Sequence, residues 1–337
     1  MSGPAYIWKR ILLLGPVLFG LTLLTFGISH VLPGDPALLA AGPQATPQMV
    51  TQIREEFGLD RPWPVQYVRY VGGLLTGEWG RSILSRRPVS EDLQVYWPAT
   101  LELVTVAMLI AVIVGIPLGV LAAVRYASWP DQVARVVSVL GVSLPAFCLA
   151  LLLQWFISYK IGILPTGSRF DTDVAAPRQI TGFLVLDSLL ALDLAALGSA
   201  LRHLVLPALT LSMAPLATVT RMTRSSLLEE LARDYVRTAR AKGLGEQAVL
   251  FVHALRNAGL PTLTMIGLSL GWLLGGSVLV ETIFDWPGIG LYAVKSALTL
   301  DFMPLMGLTI IYGVLFSLIN LLVDVLYAVL DPRLRLA

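Results

Sequence analysis

The chain has 337 residues, of which 56% are hydrophobic and 14% charged, with a formal net charge of +2 and a mean hydropathy of +0.75. A soluble domain carries about a quarter charged residues, so this deficit, together with the long apolar runs, indicates an integral membrane protein. The balance of charge offers no basic face for nucleic acid, and the single cysteine, Cys148, excludes an internal disulfide framework and a cysteine-based zinc site.

Taken in order, Lys9 and Arg10 precede an apolar run over residues 11–31, long enough for a bilayer, which takes about 20 residues. A cleaved signal has a shorter apolar core. The run therefore reads as a retained first helix, with Lys9 and Arg10 holding the N-terminus in the cytoplasm. Leu32-Pro33-Gly34-Asp35-Pro36 breaks it. A polar stretch to about Tyr96 follows, with two short amphipathic helices expected near 47–57 and 64–75; it reads as an extramembrane loop. The second span is expected over 97–124, with Pro98 in its first turn, Glu102 where the helix dipole favours a carboxylate, and Pro117 as a kink. A carboxylate near a span is also a candidate functional group. The third span, 133–159, contains Pro145 and Cys148, a small core residue in this reading. It ends in Trp155 and Tyr159, suited to the interface.

Residues 182–197 are apolar but interrupted by Asp187 and Asp193. Each would cost about 2.5–3.5 kcal/mol at the bilayer centre, so this piece reads as a helix lying on the membrane surface or packed on the protein. The fourth span, 204–220, carries Pro207 and Pro215. A polar run over 221–257 comes next, with Arg221, Arg224, Arg233, Arg237, Arg240, Lys242 and Arg256 set against Glu229, Glu230, Asp234 and Glu246. Ser226 and Glu229 have capping-box spacing, Glu229 and Arg233 are four apart on one helix face, and Gly243 follows a cationic last turn as a C-cap or a hinge. A second amphipathic run covers 246–257, so the expectation is a folded helix–break–helix unit tethered between spans.

The fifth span, 260–283, opens at Pro261 and carries Gly267, Gly271 and Gly275, which clear one helix face for close approach, either within the chain or against another membrane subunit. A tight loop over 285–290 leads to the sixth span, 304–329, with Asp324 near its end as an interfacial or paired group; Arg333 and Arg335 close the chain. Six spans with a cytoplasmic N-terminus put the C-terminus and the 221–257 unit in the cytoplasm, in agreement with the distribution of lysine and arginine. The organisation is a first helix and outer loop (1–96), a five-span core containing the polar unit (97–329), and a cytoplasmic tail (330–337).

No catalytic constellation is present: there is no phosphate-binding G-x-x-x-x-G-K-[ST] loop and no G-x-S-x-G elbow, and His30, His203 and His253 are scattered without metal-ligand spacing. The intramembrane charges do not form the ladder of a proton-driven carrier. Uphill transport by such a chain would draw its energy from a partner.

The segment DYVRTARAKGL, followed by HALRNAGLP, resembles the coupling region of ATP-binding-cassette importer permeases in the form of their peptide/nickel branch. LPGDPA, FGLDRPWPVQY, PATLEL, ETIFDWPGIG and NLLVDVLYAVLDPRLR resemble the same branch, so the likeness covers nearly the whole chain. The insertion with ITGFLVLDS is most similar to the first permease subunit of dipeptide transporters. The resemblance implies an all-α type I importer permease in the prokaryotic plasma (inner) membrane. It would be a multi-pass, non-catalytic subunit that pairs with a second permease to form a path for di- or oligopeptides. An extracytoplasmic binding protein would deliver substrate, and two cytoplasmic ATPases would bind ATP and magnesium; this chain would hold no cofactor. The coupling helix maps onto Arg233, Asp234, Tyr235, Arg237, Thr238, Ala239, Arg240, Lys242 and Gly243. Of the broader importer signature E-A-A-x-x-x-G only Ala239 and Gly243 match; Arg237 and Thr238 depart from it, and Arg237 replaces the glutamate of a familiar ion pair. Gly267, Gly271 and Gly275 would pack against the second permease, and Trp272, Leu274 and Glu281 are candidates to line the path. The same machinery serves nickel, glutathione, haem or other small solutes. A self-contained carrier or channel and a membrane-embedded enzyme are the rival classes; the first would show internal repeats and the second a catalytic cluster within the spans.

Overall fold

The computed structural model describes residues 3–31, 37–38, 46–56 and 58–330. Helix is the regular structure throughout; among the described residues no strand forms, and one isolated antiparallel bridge joins Arg81 to Pro88. The 32–36 break, the tail after Leu330 and the side chains of Lys9, Arg10 and Asp324 lie outside the described residues.

Helix α1 (Gly3–Val31) and the amphipathic helices α2 (Pro47–Glu56) and α3 (Trp63–Thr76) form where the sequence pattern places them. Tyr67 of α3 meets the Phe26 ring of α1 edge-on at 5.4 Å, and its hydroxyl lies 2.9 Å from Thr22 Oγ1, which ties the first loop back to the first helix.

Helix α4 (Val89–Val124) begins earlier than the expected Trp97, because Val89 and Leu93 are buried against Ile289, Tyr292 and Leu308 and the packing extends the helix. Pro98 and Pro117 are therefore interior, and Glu102 is not a first-turn carboxylate. The expected third span is not one straight helix. It consists of α5 (Trp129–Ser143) and α6 (Ala146–Ile161), bent by 105° at their junction. Pro145 supplies no N–H and holds the preceding Leu144 in extended backbone (φ −81°, ψ 119°), which ends α5. The last part of α6, Gln154–Ile161, winds as a π-helix and closes on Gly162 in the left-handed region.

Helix α7 (Leu184–Leu190) buries Asp187 and Ser188 against the protein and leaves Leu186, Leu189 and Leu190 exposed on its other face. Asp193 is the N-cap of α8 (Leu194–Leu231), its carboxylate accepting from Ala196 N at 3.0 Å. Helix α8 is continuous for 38 residues through Pro207 and Pro215. The expected capping box is consequently absent: Ser226 lies inside the helix, where its hydroxyl donates to Met222 Sδ at 3.6 Å. Tertiary packing of Leu227 overrides the local start signal. Helix α9 (Asp234–Ala241) follows after a short break. Helix α10 (Glu246–Ile283) absorbs both the second amphipathic run and the expected fifth span, with a π-helical stretch at Val249–Ala254 and Pro261 in its interior. Helices α11 (Ile289–Leu298) and α12 (Phe302–Leu330) complete the chain.

Helices α4, α8, α10 and α12 are long and apolar enough to cross a membrane, and the bent α5–α6 pair is a fifth if taken as one broken span. Helix α1 adds a shorter described apolar stretch, Leu12–Gly27. At 1.5 Å per residue the 38 residues of α8 extend about 57 Å, well beyond a hydrocarbon core of about 30 Å. Helix α8 is central, packed on α4, α5 and α10. Close approach depends on glycine at two points: a Cβ on Gly119 of α4 would meet Thr220 O at 2.7 Å, and one on Gly141 of α5 would meet Met213 O at 2.7 Å. The long helices α4, α8 and α10 thus run between two ends, one carrying α9 and the other carrying α7 and the 285–290 loop.

Candidate functional site

At one end, α9 lies across the tips of the long helices. Val236 and Ala239, three apart on one face, are buried against Ala123 of α4, Leu227 of α8, and Val249, Ala254 and Ala258 of α10. Tyr235 Oη donates to Glu230 Oε2 at 2.6 Å and accepts from Asn257 Nδ2 at 3.1 Å, which joins α9 to both neighbours. Burial, reinforced by the bond to Glu230, pushes the Tyr235 phenol up from its ordinary pKa.

Both ends of α9 are fixed. Arg233 begins it and pairs with Glu230 at 3.0 Å and with Glu229 at 3.3 Å, the latter being the four-residue pair expected from the sequence. At the C-terminus Gly243 takes φ +80°; its N–H reaches Arg240 O at 2.9 Å and Leu244 N–H reaches Ala239 O at 3.3 Å, the paired bonds of a Schellman cap. Arg240 then grips Glu246, with Nε–Oε1 at 2.7 Å and Nη2–Oε2 at 3.0 Å, fixing the hairpin between α9 and α10.

The opposite face of α9 is open. Asp234 is 93% and Arg237 75% exposed, and Thr238, Arg240, Lys242 and Gly243 are exposed with them. The nine residues expected to form a coupling helix therefore comprise the helix, its start and its cap: Tyr235 points inward to Glu230 and Asn257, Ala239 is buried on the seat, and the charged members face outward. Arg237, in the place of the signature glutamate, pairs with Asp234 at 3.3 Å on the surface.

At the other end PATLEL and ETIFDWPGIG, far apart in sequence, meet. Thr100 Oγ1 donates to Glu281 Oε1 at 2.7 Å and accepts from Ile289 N at 2.9 Å. Glu281 Oε2 accepts from Gly290 N at 2.7 Å and Leu291 N at 3.0 Å, so a fully buried carboxylate anchors the start of α11. Trp286 is buried and donates to Ala99 O at 2.9 Å. Its ring lies 5.8 Å from the Arg169 guanidinium, which binds Glu102 Oε2 at 2.6 Å; Glu102 Oε1 accepts from Val185 N at 2.7 Å. Glu102 thus holds the 162–193 insertion to α4. Asp187 closes the insertion on itself through Ile180 N, Thr181 N and Oγ1, and Gly182 N. Burial raises its pKa, but these donors outweigh burial and hold the carboxyl below its ordinary value.

The three path candidates do not converge: Leu274 lies in the packed core, Glu281 in the knot just described, and Trp272 is 81% exposed. Of the glycine stripe, a Cβ on Gly267 or Gly271 would collide with Val323 or Phe316 of α12 in the same chain, whereas Gly275 faces open space beside Trp272. Residues not singled out from the sequence are Thr100, Arg169 and Asp131. The first lies within a quoted motif; Arg169 sits in the 162–193 insertion and Asp131 in the first turn of α5, and their partners are distant in sequence.

Among the described residues no group of three or more histidine, cysteine, aspartate or glutamate side chains could hold a metal ion. Residues 115–336 match the family described as "Binding-protein-dependent transport system inner membrane component", and residues 5–104 match its N-terminal component. The chain is 46% identical, over 94% of both proteins, to the probable D,D-dipeptide transport system permease protein of Escherichia coli (strain K12). It is 41% identical to the dipeptide transport system permease protein of Alkalihalophilus pseudofirmus, over 98% of this chain and 99% of that protein. It is also 41% identical to the glutathione transport system permease protein of Salmonella paratyphi A, over 98% of both. The chain belongs to the binding-protein-dependent transport system inner membrane components, the permease subunits of ATP-binding-cassette importers.

Proposed function

We propose that this chain pairs with a second permease to form the path for di- or oligopeptides across the bacterial inner membrane. An extracytoplasmic binding protein delivers the peptide, and two ATPases, which hold the ATP and magnesium, dock from the cytoplasm. In this reading α1, α4, the α5–α6 pair, α8, α10 and α12 make six spans with both termini in the cytoplasm, built as a first helix and outer loop (1–96), a core (97–329) and a tail. Helix α9 is the coupling helix, and Arg233, Asp234, Arg237, Thr238, Arg240, Lys242 and Gly243 offer the docking surface. The single observation that supports it is a short helix, capped at its end, seated by its apolar face on the tips of α4, α8 and α10 with its charged face left open.

The physical logic is leverage. ATP-driven closure of two ATPases is a rigid-body motion, and a capped helix seated on three long helices transmits it where a loose loop would deform. Those helices then exchange between inward- and outward-facing arrangements. The surface carrying Gly275 and Trp272 packs against the second permease. Trp272, Leu274 and Glu281 border the path only in an arrangement that opens the present packing. Peptide is the favoured cargo because the dipeptide permeases match at 41–46% identity; the glutathione permease matches at 41%, which supports a small γ-linked peptide as the second reading. Purification of the chain in mild detergent from its native membrane tests the assembly: a second permease and nucleotide-binding subunits should accompany it with ATPase activity. A chain that purifies alone, without ATPase activity, contradicts it.

A further inference from the structure

The connection between α4 and α5 carries a second tie at the α9 end. Asp131, in the first turn of α5, is fully buried. Arg224 of α8 binds both of its oxygens, Nη2 lying 3.0 Å from Oδ2 and Nε contacting Oδ1. Arg135 of α5 binds the same pair of oxygens at 2.6 and 3.3 Å, and Ala127 N donates to Oδ2 at 3.0 Å from a turn in which Ala127 itself takes φ +60°. The Arg224 guanidinium also lies 5.6 Å from the Tyr126 ring centroid. Five donors converge on one carboxylate and tie the α4–α5 corner to α8 with directional, charge-assisted bonds.

The seat of α9 is made by α4, α8 and α10; α5 contributes nothing to it. Helix α5 nonetheless leads through the 105° bend into α6, whose Gln154 donates to Ile283 O at 3.3 Å and Thr166 O at 2.6 Å at the far end of the bundle. The α5–α6 arm packs along α8, and two polar ties add to that packing: the Asp131 clasp to α8 at one end and Gln154 to α10 at the other. We propose that Asp131 is a positioning residue for coupling: by clasping Arg224 it makes the bent α5–α6 arm follow α8 when α9 is pushed, so that motion at the ATPase face reaches the far end of the path. This rests on the importer reading above.

The test measures uptake of radiolabelled dialanine and ATP hydrolysis together, in proteoliposomes holding the complete complex and saturating binding protein. In Asp131→Asn the peptide moved per ATP should fall by about tenfold, the scale of a typical coupling energy, while hydrolysis stays within a factor of about two. Arg224→Gln leaves Asp131 paired with Arg135 and should shift the same ratio in the same direction by a smaller factor. Asp131→Glu, which keeps the charge, should restore most of it. Uptake and hydrolysis falling in parallel, an unchanged ratio, or failure of both Asp131→Asn and Arg224→Gln to assemble would each overturn the clasp, because the tie would then be purely structural. Absence of ATP-dependent uptake in the unsubstituted complex would instead overturn the importer reading, which keeps the two failures apart.

Discussion

The two ends of the bundle are held by opposite means. Around α9 itself the ion pairs lie mostly at the surface: Arg233 with Glu229, Arg237 with Asp234 and Arg240 with Glu246 are exposed, while Glu230 sits buried beneath Arg233 and Tyr235 and the Asp131 clasp lies beside the seat rather than in it. Such exposed pairs are each worth about 0–1 kcal/mol, so α9 is positioned mainly by Val236 and Ala239 in their apolar seat and by the Gly243 cap. At the far end the carboxylates of Glu102, Glu281 and Asp187 are at most 5% exposed, and each receives backbone N–H groups together with a hydroxyl or a guanidinium. Removing one partner there strands buried donors. The open face of α9 keeps its charges at the surface, whereas the far end uses its carboxylates to fix its own loops.

That contrast is most sharply broken by Glu281→Ala, which leaves Thr100 Oγ1, Gly290 N and Leu291 N without their acceptor. Thermal unfolding of the detergent-solubilised chain should show a loss on the order of 3 kcal/mol or more; an unshifted transition would mean that the knot does not hold this end together. Gly243→Val is the matching change at the α9 end. A β-branched residue at φ +80° costs about 1–2 kcal/mol locally, with nothing nearby for the side chain to strike. Transport in vesicles should fall several-fold at normal chain levels while ATP hydrolysis continues; full transport would remove the cap from the coupling account.

Asp187 adds a pH signature to the far end. Its pKa is lowered in the folded chain, so the stability it contributes is fully present above the unfolded value of about 4 and is lost as pH falls through the still lower folded value. Proteolysis of the 162–193 insertion should accelerate only below about pH 4, and Asp187→Asn should abolish that dependence. The smallest effect belongs to Arg237→Ala, whose exposed pair with Asp234 should leave stability within about 0.5 kcal/mol; a larger shift would show that the open face of α9 is not free.

How far the sequence disclosed this contrast depended on the range of each interaction. The pair Glu229–Arg233 and the cap at Gly243 are local, and both were readable from spacing. The far end was not, because Thr100 meets Glu281 and Glu102 meets Arg169 across tens of residues or more, which no period reveals. Local signals also misled where packing overruled them. Ser226 and Glu229 read as a helix start but lie within α8, because Leu227 is buried in the apolar cluster that seats α9. Pro145 read as lying inside one span but ends a helix, and Pro261 read as the opening of a span but lies inside a long helix, whereas Pro207 and Pro215 lie within a span as expected. Asp131 carried no local signal because its significance lies in Arg224, on a different helix.

The most direct measurement is cross-linking from the open face of α9. Cys148 is the only cysteine, so Cys148→Ala gives a clean background for single cysteines at Thr238, on α9, and at Leu192, 86% exposed at the far end. In native membranes a short thiol-to-amine cross-linker on Thr238→Cys should capture a nucleotide-binding subunit, and Leu192→Cys should capture none. Capture of that subunit from Leu192→Cys instead, or labelling of Thr238→Cys by an impermeant reagent added outside intact cells, would contradict the coupling role of α9.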